Sequence, residues 1–298
     1  MPSTCTFPFS LLPKVLSVRR KRKKLRVQFV SDLHLEVGRQ YSSFHIPVRG
    51  QILLLAGDIG QLQHYDDYRT FLATQCQKFQ LVCLVLGNHE FYGLSRDEGL
   101  GLASKLETEP CLSGRLKVLN RNRVDISPSL CILGCTLQSH VTDTNRAEIE
   151  AKIKDFRRIK DWSVEKHNEE HVKDREWLLR QLSAVGDNYN VIVMTHHAPT
   201  VHGSSKPEDE GNTLTEAFAT DLLGTDEAFS RPQWWVFGHT HHTTQMEKHG
   251  GILASNQRGY VLKPEAGAST RTFTRGLLCN TEQRRNRDAF DPGRFMEL

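Results

Sequence analysis

Residues able to bind a metal ion recur in five short clusters along the 298-residue chain. The clusters are Asp32 with His34, Asp58 alone, Asn88 with His89, His196 with His197, and His239 with His241. Carboxylate, amide and imidazole ligands without a thiolate suit Mn, Fe or Zn. Two carboxylates, one amide and at least four imidazoles exceed what one tetrahedral site uses. They predict two metal ions that share one aspartate, an arrangement that clamps the attacking and leaving oxygens of a displacement at phosphorus.

Each cluster follows a short apolar segment with the pattern of a β-strand. A single loop histidine is usually structural, but packing does not explain polar clusters at the ends of so many strands. Burying that many polar groups without a ligand would cost a few kcal/mol for each group. Loops at the carboxyl ends of strands are also where α/β proteins bind their ligands. Strands are predicted at residues 25–30, 52–56, 81–86, 116–119, 130–137, 191–194 and 234–237, with a hairpin over 245–260.

Helices are predicted where apolar residues recur at helical spacing, over residues 65–79 and 95–107. The charged segment 144–185 is predicted to be mostly helical, with Trp177, Leu178, Leu182 and Val185 as its buried stripe. Alternation of strands and helices over residues 25–85 indicates a layered α/β fold. The later strands, joined by short links, indicate a second sheet with antiparallel parts.

The clusters resemble the five motifs of calcineurin-like metallophosphoesterases, and the resemblance covers residues 25–260. The matching segments are Ser31-Asp-Leu-His34, Gly57-Asp58, Gly87-Asn-His-Glu90, His196-His-Ala-Pro199 and Gly238-His-Thr-His241. The resemblance implies an α/β fold, a four-layer αββα sandwich of two mixed β-sheets flanked by helices. It also implies a metal-dependent hydrolase that cleaves phosphoester bonds by attack of a metal-bridging hydroxide.

Carried over residue by residue, the resemblance implies two overlapping ligand sets. Metal one is held by Asp32, His34, Asp58 and His241, and metal two by Asp58, Asn88, His196 and His239, with Asp58 as the bridge. His196 is preferred to His197 because the first histidine of the pair lies closest to the strand end. His89 has no metal in this scheme and is expected to face the substrate, where it donates a proton or a hydrogen bond to the leaving oxygen.

The charge of this assignment favours an anionic substrate. Two dications, the two aspartates and a bridging hydroxide leave the site with a net charge of about +1, which favours a phosphate group and its developing transition-state charge. The protein phosphatases of the family carry arginines in GDxxDRG and RGNHE. Here the second motif reads Gly57-Asp-Ile-Gly-Gln-Leu-Gln63, and Leu86 precedes Gly87. We therefore expect hydrolysis of a small phosphomonoester or phosphodiester, and poor activity on phosphoproteins.

Two other functions remain open at this stage. One is a scaffold of the same fold without turnover, although such a scaffold would typically lack ligands. The other is a nuclease-type diesterase, or a nucleic-acid binder, steered by the basic N-terminus. Among weaker candidates, Glu90 could orient a ligand or be a solvated loop residue. Tyr92 and His202 could line the pocket, but packing or a surface position suits them better. His140 could reach the site, and Asp155-Phe-Arg-Arg158 suits a structural helix face.

The charge of the chain is unevenly distributed. Eight of its 39 basic residues lie in the first 26 residues without any acid, which leaves 31 basic against 35 acidic residues in the remainder. Residues 1–24 are therefore predicted to be a flexible basic extension, and residues 25–298 one domain. The acidic body argues against a nucleic-acid surface spread over the fold.

The expected compartment is the cytoplasm. The longest apolar run has six residues, too short for a membrane span, and none of the seven cysteines forms a CxxC pair, which suits buried free thiols. Arg19 to Lys24 could instead be a nuclear-import signal, or part of a mitochondrial presequence. The sequence does not determine the oligomeric state.

Overall fold

Two mixed β-sheets form the centre of the computed structural model, which describes residues 24–186, 188–261 and 289–298. The strands in chain order are β1 (Arg26–Val30), β2 (Ile52–Ala56), β3 (Leu81–Val85), β4 (Leu116–Val118), β5 (Asn122–Ser127), β6 (Leu130–Gly134), β7 (Asn190–Met194), β8 (Trp234–Phe237), β9 (Gln245–Lys248), β10 (Gly251–Ser255) and β11 (Phe295–Glu297). The helices are α1 (Tyr65–Lys78), α2 (Arg96–Thr108), α3 (Arg146–Lys152), α4 (Asp155–Arg158) and α5 (Val164–Ala184).

The first sheet has the order β11-β1-β2-β3-β4. Strands β1 to β4 are parallel, so their carboxyl ends meet at one edge of the sheet. Strand β11 pairs antiparallel with β1, and Val27 lies opposite Met296. The sequence did not predict this last strand, because three residues are too few to show a periodicity.

The second sheet has the order β5-β6-β7-β8-β10-β9. Its four central strands are parallel, and β5 and β9 are antiparallel edge strands. The predicted hairpin is confirmed as β9 and β10, which turn at His249 and Gly250. Strand β5 was missed, because its burial pattern is mostly exposed and its residues are largely polar.

The two sheets pack face to face through apolar side chains that alternate along their strands. Val27, Phe29 and Leu54 of the first sheet share one buried cluster with Ile132 and Ile192 of the second. Helices α1 and α2 cover the outer face of the first sheet, and α5 covers the second. The predicted αββα sandwich of two mixed sheets is therefore confirmed.

The segment predicted as one long helical region is divided into three helices. Helix α5 begins at the N-cap Ser163, whose side chain accepts a hydrogen bond from the Lys166 backbone N–H. Its buried stripe includes Leu178 and Leu182, as predicted, whereas Trp177 is only partly buried and the buried Val185 lies just past the end of the helix. Separate helices α3 and α4 precede it, and the latter brings a buried aspartate to the site described below.

Some predictions fall on residues that the structure does not describe. The basic extension lies outside the described residues except for Lys24, whose ammonium pairs with Glu297. The interpretation of residues 25–298 as one domain stays a prediction. Within the described ranges, no helix combines the length and the apolar character needed to cross a bilayer. The five described cysteines are free, and all but Cys111 are buried.

Candidate metal centre

All seven predicted ligands converge at the carboxyl ends of five parallel strands. Asp32 and His34 follow β1, Asp58 follows β2, Asn88 follows β3, His196 follows β7, and His239 and His241 follow β8. The two sheets present these loops at the same edge of the sandwich, so residues more than 200 positions apart come into contact. We call these seven residues the seven-residue group.

One half of the group consists of Asp32, His34 and His241, whose possible ligand atoms all lie within 4.8 Å of one another. The Nε2 atoms of His34 and His241 are 2.8 Å apart. Asp32 Oδ1 lies 3.6 Å from His241 Nε2. Asp32 also accepts a hydrogen bond from the His239 backbone N–H, which ties the first loop to the last.

The other half consists of Asp58, Asn88, His196 and His239. His196 Nε2 lies 3.0 Å from Asn88 Oδ1, 3.1 Å from His239 Nδ1 and 3.4 Å from Asp58 Oδ1. Asp58 Oδ2 instead lies 3.9 Å from His34 Nε2 in the first half. The two oxygens of Asp58 therefore face different halves of the group, as a bridging carboxylate would require.

His196 and His197 are adjacent but differ in direction. His196 Nδ1 donates a hydrogen bond to the Ala56 carbonyl, at 3.0 Å, which turns Nε2 toward Asp58. His197 is completely buried, and neither of its ring nitrogens has a hydrogen-bond partner among the described residues. Its ring packs against His239 instead, with centroids 4.1 Å apart.

The loops that carry the group have an unusual backbone. Asp32, His34, Asp58, His239 and His241 all have positive φ angles, between 46° and 72°. Residues other than glycine rarely adopt this left-handed region, and such outliers concentrate at functional sites. The left-handed backbone at these five residues therefore costs conformational free energy, which the rest of the fold must offset.

Two motif glycines are needed because no side chain fits there. A Cβ atom at Gly57 would lie 2.2 Å from His196 Nδ1, and this glycine also has a φ of +87°. A Cβ atom at Gly87 would lie 2.2 Å from Asp58 Oδ1. These contacts explain why glycine precedes Asp58 and Asn88 in the sequence.

Burial makes the charges of the group costly. Burial raises the pKa of Asp32 to about 7, although nearby His34 opposes the rise. Burial and the neighbouring carboxylates of Glu90 and Asp32 raise the pKa of Asp58 well above its usual value. Burial also lowers the pKa of His196 and that of His241 to about 3. Buried carboxylates and neutral imidazoles that face one another are the donor set that divalent metals prefer, so the group fits such ions.

Glu90 binds the backbone of two site loops. Its carboxylate is fully buried and accepts hydrogen bonds from the backbone N–H groups of Asp58, Ile59 and Gly87, at 2.7 to 2.9 Å. The hydroxyl of Tyr68 donates a further bond, at 3.0 Å. The alternative of a solvated loop residue is therefore wrong, because Glu90 joins the loop of Asp58 to that of Asn88.

Asp155 holds the side chain of Asn88. Asn88 Nδ2 donates a hydrogen bond of 2.8 Å to Asp155 Oδ1, which leaves Asn88 Oδ1 toward His196. The Tyr92 hydroxyl donates to the same carboxylate oxygen at 2.6 Å. Burial raises the pKa of Asp155, although the bonds from Tyr92 and Asn88 oppose the rise. Residues 155–158 form a helix, as predicted, and the sequence did not show that its first residue, Asp155, is buried against Asn88.

His89 lies at the mouth of the group and points elsewhere than Asn88. Its Nδ1 donates a hydrogen bond of 2.8 Å to Glu36 Oε1, and its Nε2 lies 2.9 Å from the Tyr260 hydroxyl oxygen. Burial alone would raise the pKa of Glu36, but hydrogen bonds from His34 and His89 lower it to about 2. Sequence reasoning missed Glu36 and Tyr260. For Glu36 a signal existed, because Asp32, His34 and Glu36 occupy alternate positions of one loop.

The weaker histidine candidates lie away from the group. His202 is 82% exposed and pairs with Glu210 across 3.6 Å. His140 is exposed, and its ring contacts His171 at a centroid distance of 5.7 Å. Neither lines the cleft above the seven-residue group, whereas Tyr92 does.

A profile of calcineurin-like phosphoesterases matches residues 25–243, and the chain belongs to that family. Protein L509 of Acanthamoeba polyphaga mimivirus, itself uncharacterized, is 25% identical over 266 residues, which cover 78% of this chain and 91% of the relative. Phosphopantetheinyl hydrolase from Mycobacterium tuberculosis superposes with a TM-score of 0.60, over 80% of this chain and 90% of its own. Its sequence is 15% identical, so this likeness shows a shared fold alone.

Proposed function

We propose that this protein hydrolyses phosphoester bonds with two divalent metal ions held by the seven-residue group. Asp32, His34 and His241 bind one ion, Asn88, His196 and His239 bind the other, and Asp58 binds both. The observation that carries the proposal is the position of Asp58, whose Oδ1 faces His196 and whose Oδ2 faces His34. Family membership supports the assignment, because members of this family are typically dependent on two metals.

The side chains around the group have separable tasks in this reaction. Two divalent ions, when bound, supply an activated water as nucleophile and neutralise the charge of the phosphate. His89 places Nε2 at the cleft, where it donates a proton to the leaving oxygen. The ring becomes neutral in that step and regains its proton from solvent. Asn88 and Asp155 keep an uncharged oxygen, rather than an N–H, directed at the second ion.

The cleft above the group favours a small organic phosphoester. It has a volume of about 310 Å³, and its lining includes His89, Tyr92, Phe218 and Tyr260. Lys152 and Lys154 also line it, but none of its described lining residues is an arginine. The two arginines expected of a phosphoprotein phosphatase are therefore missing from the cleft as well as from the motifs.

A second cavity adjoins the cleft and suits the organic part of the substrate. Its volume is about 250 Å³, and it shares Phe218 and Thr240 with the cleft. Its remaining described lining residues are Ser205, Asp209, Asn212, Leu214 and Thr215, which include one acid and no base. We therefore expect a neutral or cationic organic group there rather than a second phosphate, because an anion would face Asp209 without a counter-charge.

The first experiment measures metal content and turnover together. Purified protein is reconstituted with Mn²⁺, assayed for bound metal, and given a panel of small phosphomonoesters, phosphodiesters, a 4′-phosphopantetheine ester and a phosphoserine peptide. We expect two ions per chain and turnover of small phosphoesters in preference to the peptide. Asp58→Asn should lower occupancy of both sites, whereas Asp66→Asn, at a residue whose side chain is 84% exposed, should not. One ion or fewer in the wild type, or metal without any turnover, would contradict the proposal, the latter in favour of a silent scaffold.

A second experiment separates the two neighbouring residues of one loop. His89→Ala should retain both ions and lower kcat by about 10²–10⁴-fold, with a smaller loss for good leaving groups such as p-nitrophenol. Asn88→Ala should lower the affinity for one ion, and added metal should partly restore the hydrolysis rate of this variant. If His89→Ala loses metal as severely as His239→Ala, then His89 is a ligand and the assignment of this loop is wrong.

A further inference from the structure

Glu36 is not one of the proposed ligands, but its carboxylate contacts both a proposed ligand, His34, and the proposed proton donor, His89. Its Oε1 lies 2.8 Å from His89 Nδ1 and 3.3 Å from His34 Nδ1. The side chain is only 7% exposed, and its Oε2 has no hydrogen-bond partner among the described residues. The rings of His34 and His89 contact each other edge to face, with centroids 4.4 Å apart.

An ionised carboxylate can only accept hydrogen bonds, so each contact requires a proton on Nδ1 of the histidine. With that proton fixed, Nε2 is the nitrogen left for other partners. In His34 this atom lies 2.8 Å from His241 Nε2, inside the seven-residue group. In His89 it lies 2.9 Å from the Tyr260 hydroxyl oxygen, at the cleft. Carboxylates that orient metal-bound histidines through the remote nitrogen are a recurrent arrangement.

We propose that Glu36 is a positioning residue shared by His34 and His89, which holds the Nδ1–H tautomer of both rings and directs one Nε2 at metal one and the other at the leaving group. The proposal rests on the proposed function of the site. Through His34, Glu36 strengthens the binding of one ion. Through His89, it holds the ring so that Nε2 faces the cleft and the leaving group.

An alternative to two Nδ1–H hydrogen bonds is a metal ion bound between His34, Glu36 and His89. The ligand atoms of His34, Glu36 and His89 also lie within 4.8 Å of one another. An ion there would take the Nδ1 atoms and leave no proton on them for Glu36. The two arrangements therefore predict opposite protonation of the same nitrogen, and this difference can be measured in the protein without metal.

The experiment compares Glu36→Gln and Glu36→Ala with the wild type in three measurements. Two-bond ¹H–¹⁵N spectra of histidine-labelled, metal-free protein report the tautomers, and His34→Gln and His89→Gln spectra supply the assignments. Competition with a chelator gives the affinity for each Mn²⁺. Hydrolysis of aryl phosphates with increasingly poor leaving groups reports proton donation. Glu109→Gln is the matched control, because its carboxylate accepts from the Tyr65 hydroxyl at 2.8 Å rather than from a histidine.

We expect the Nδ1–H form for His34 and His89 in the wild type and loss of that preference in Glu36→Ala. One Mn²⁺ should bind about 10–100-fold more weakly in Glu36→Ala, and the other nearly as before. Glu36→Gln should lie between, because both contacts reach Oε1 and an amide oxygen there can accept both in neutral form. The kcat loss should grow as the leaving group becomes poorer. The near-isosteric Glu36→Gln keeps the test valid should Glu36→Ala fail to fold.

Three results would overturn the proposal. The first is unchanged tautomers in Glu36→Ala, the second is a kcat loss that is uniform over the leaving groups, and the third is an additional ion per chain that disappears in both variants. A wild-type protein without turnover would refute the proposed function, whereas the tautomers and metal affinities would still decide the role of Glu36.

Discussion

Replacing Asp155 should weaken the binding of one metal ion, although none of the proposed ligands is removed. Asp155 is buried on α4, and it contacts the group through Asn88 and Tyr92. In the wild type its charge fixes the Asn88 amide with Nδ2 toward α4 and Oδ1 toward His196. In Asp155→Ala the amide can rotate by half a turn, which presents an N–H group to the ion instead of an oxygen.

The size of the effect follows from one hydrogen bond. A bond to a charged acceptor contributes about 1.5–3 kcal/mol, and a neutral one about 0.5–1.5 kcal/mol. Losing the charged bond should therefore lower the affinity for the ion that Asn88 binds by about 10–100-fold, the range found for partners of metal ligands. Both observed bonds reach Oδ1 of Asp155, so Asp155→Asn can keep them in neutral form. In this variant the affinity for the same ion should fall by only about 3–10-fold.

Chelator competition with Mn²⁺ measures both affinities, and a double-mutant cycle assigns the cause. In an Asn88→Ala background, Asp155→Ala should change the affinity by less than about 2-fold, because its effect passes through a side chain that is already absent. Tyr92→Phe serves as a comparison: it leaves the Asn88–Asp155 bond but removes the hydroxyl that donates to Asp155 and accepts from Asn88 Nδ2 at 3.2 Å. Two results would show that Asp155 acts on the fold and not on the amide. One is an equal loss of affinity for both ions in Asp155→Ala, and the other is an undiminished loss for one ion in the Asn88→Ala background.

Three further predictions concern the surroundings of the site. Gly87→Ala should lower the affinity for both ions in chelator competition, since its Cβ would lie 2.2 Å from Asp58 Oδ1, and unchanged affinity would show that the loop adapts. Glu90→Gln should lower the free energy of unfolding in urea by about 2–6 kcal/mol, because its amide leaves two backbone N–H donors unpaired, and a loss under 1 kcal/mol would contradict this. Burial lowers the pKa of His167 to about 3, against about 6.5 in the unfolded chain. The stability that its neutral form allows is therefore fully present above pH 6.5 and is lost as the pH falls toward 3. His167→Phe should therefore reduce the pH dependence of unfolding near pH 5 by about 1.4 kcal/mol per pH unit, and an unchanged slope would refute the assignment.

Much of this architecture could be predicted because hydrophobic runs and ligand clusters are local features of the sequence. Strand β2 was predicted with the bounds observed, since five consecutive apolar residues end at a glycine. Parallel strands place their carboxyl ends together, so the convergence of Asp32, Asp58 and His239 follows once the strands are known. The fold and the family are confirmed, and the ligand assignment stays a prediction for metal analysis to decide.

The parts that could not be predicted depend on contacts between distant segments. Strand β11 is held by β1 across 271 positions, and its three residues carry no pattern of their own. Asp155 reaches Asn88 across 67 positions, from a helix of four residues that is one of three within a single charged segment. Side-chain direction in such a helix depends on where the preceding loop places it, and residue spacing does not encode that.

The left-handed backbone at five of the seven proposed ligands has a consequence for engineering. Each such residue costs on the order of 1 kcal/mol relative to glycine, which adopts this region freely. Substituting glycine at His241 or His239 would therefore remove a ligand and relieve strain at the same time. Selection of this chain for heat resistance in a chelating medium should enrich glycine at these positions, giving variants that melt later and bind less metal. Selection for thermostability should therefore keep metal in the medium, so that ligand loss carries a penalty greater than the strain it relieves.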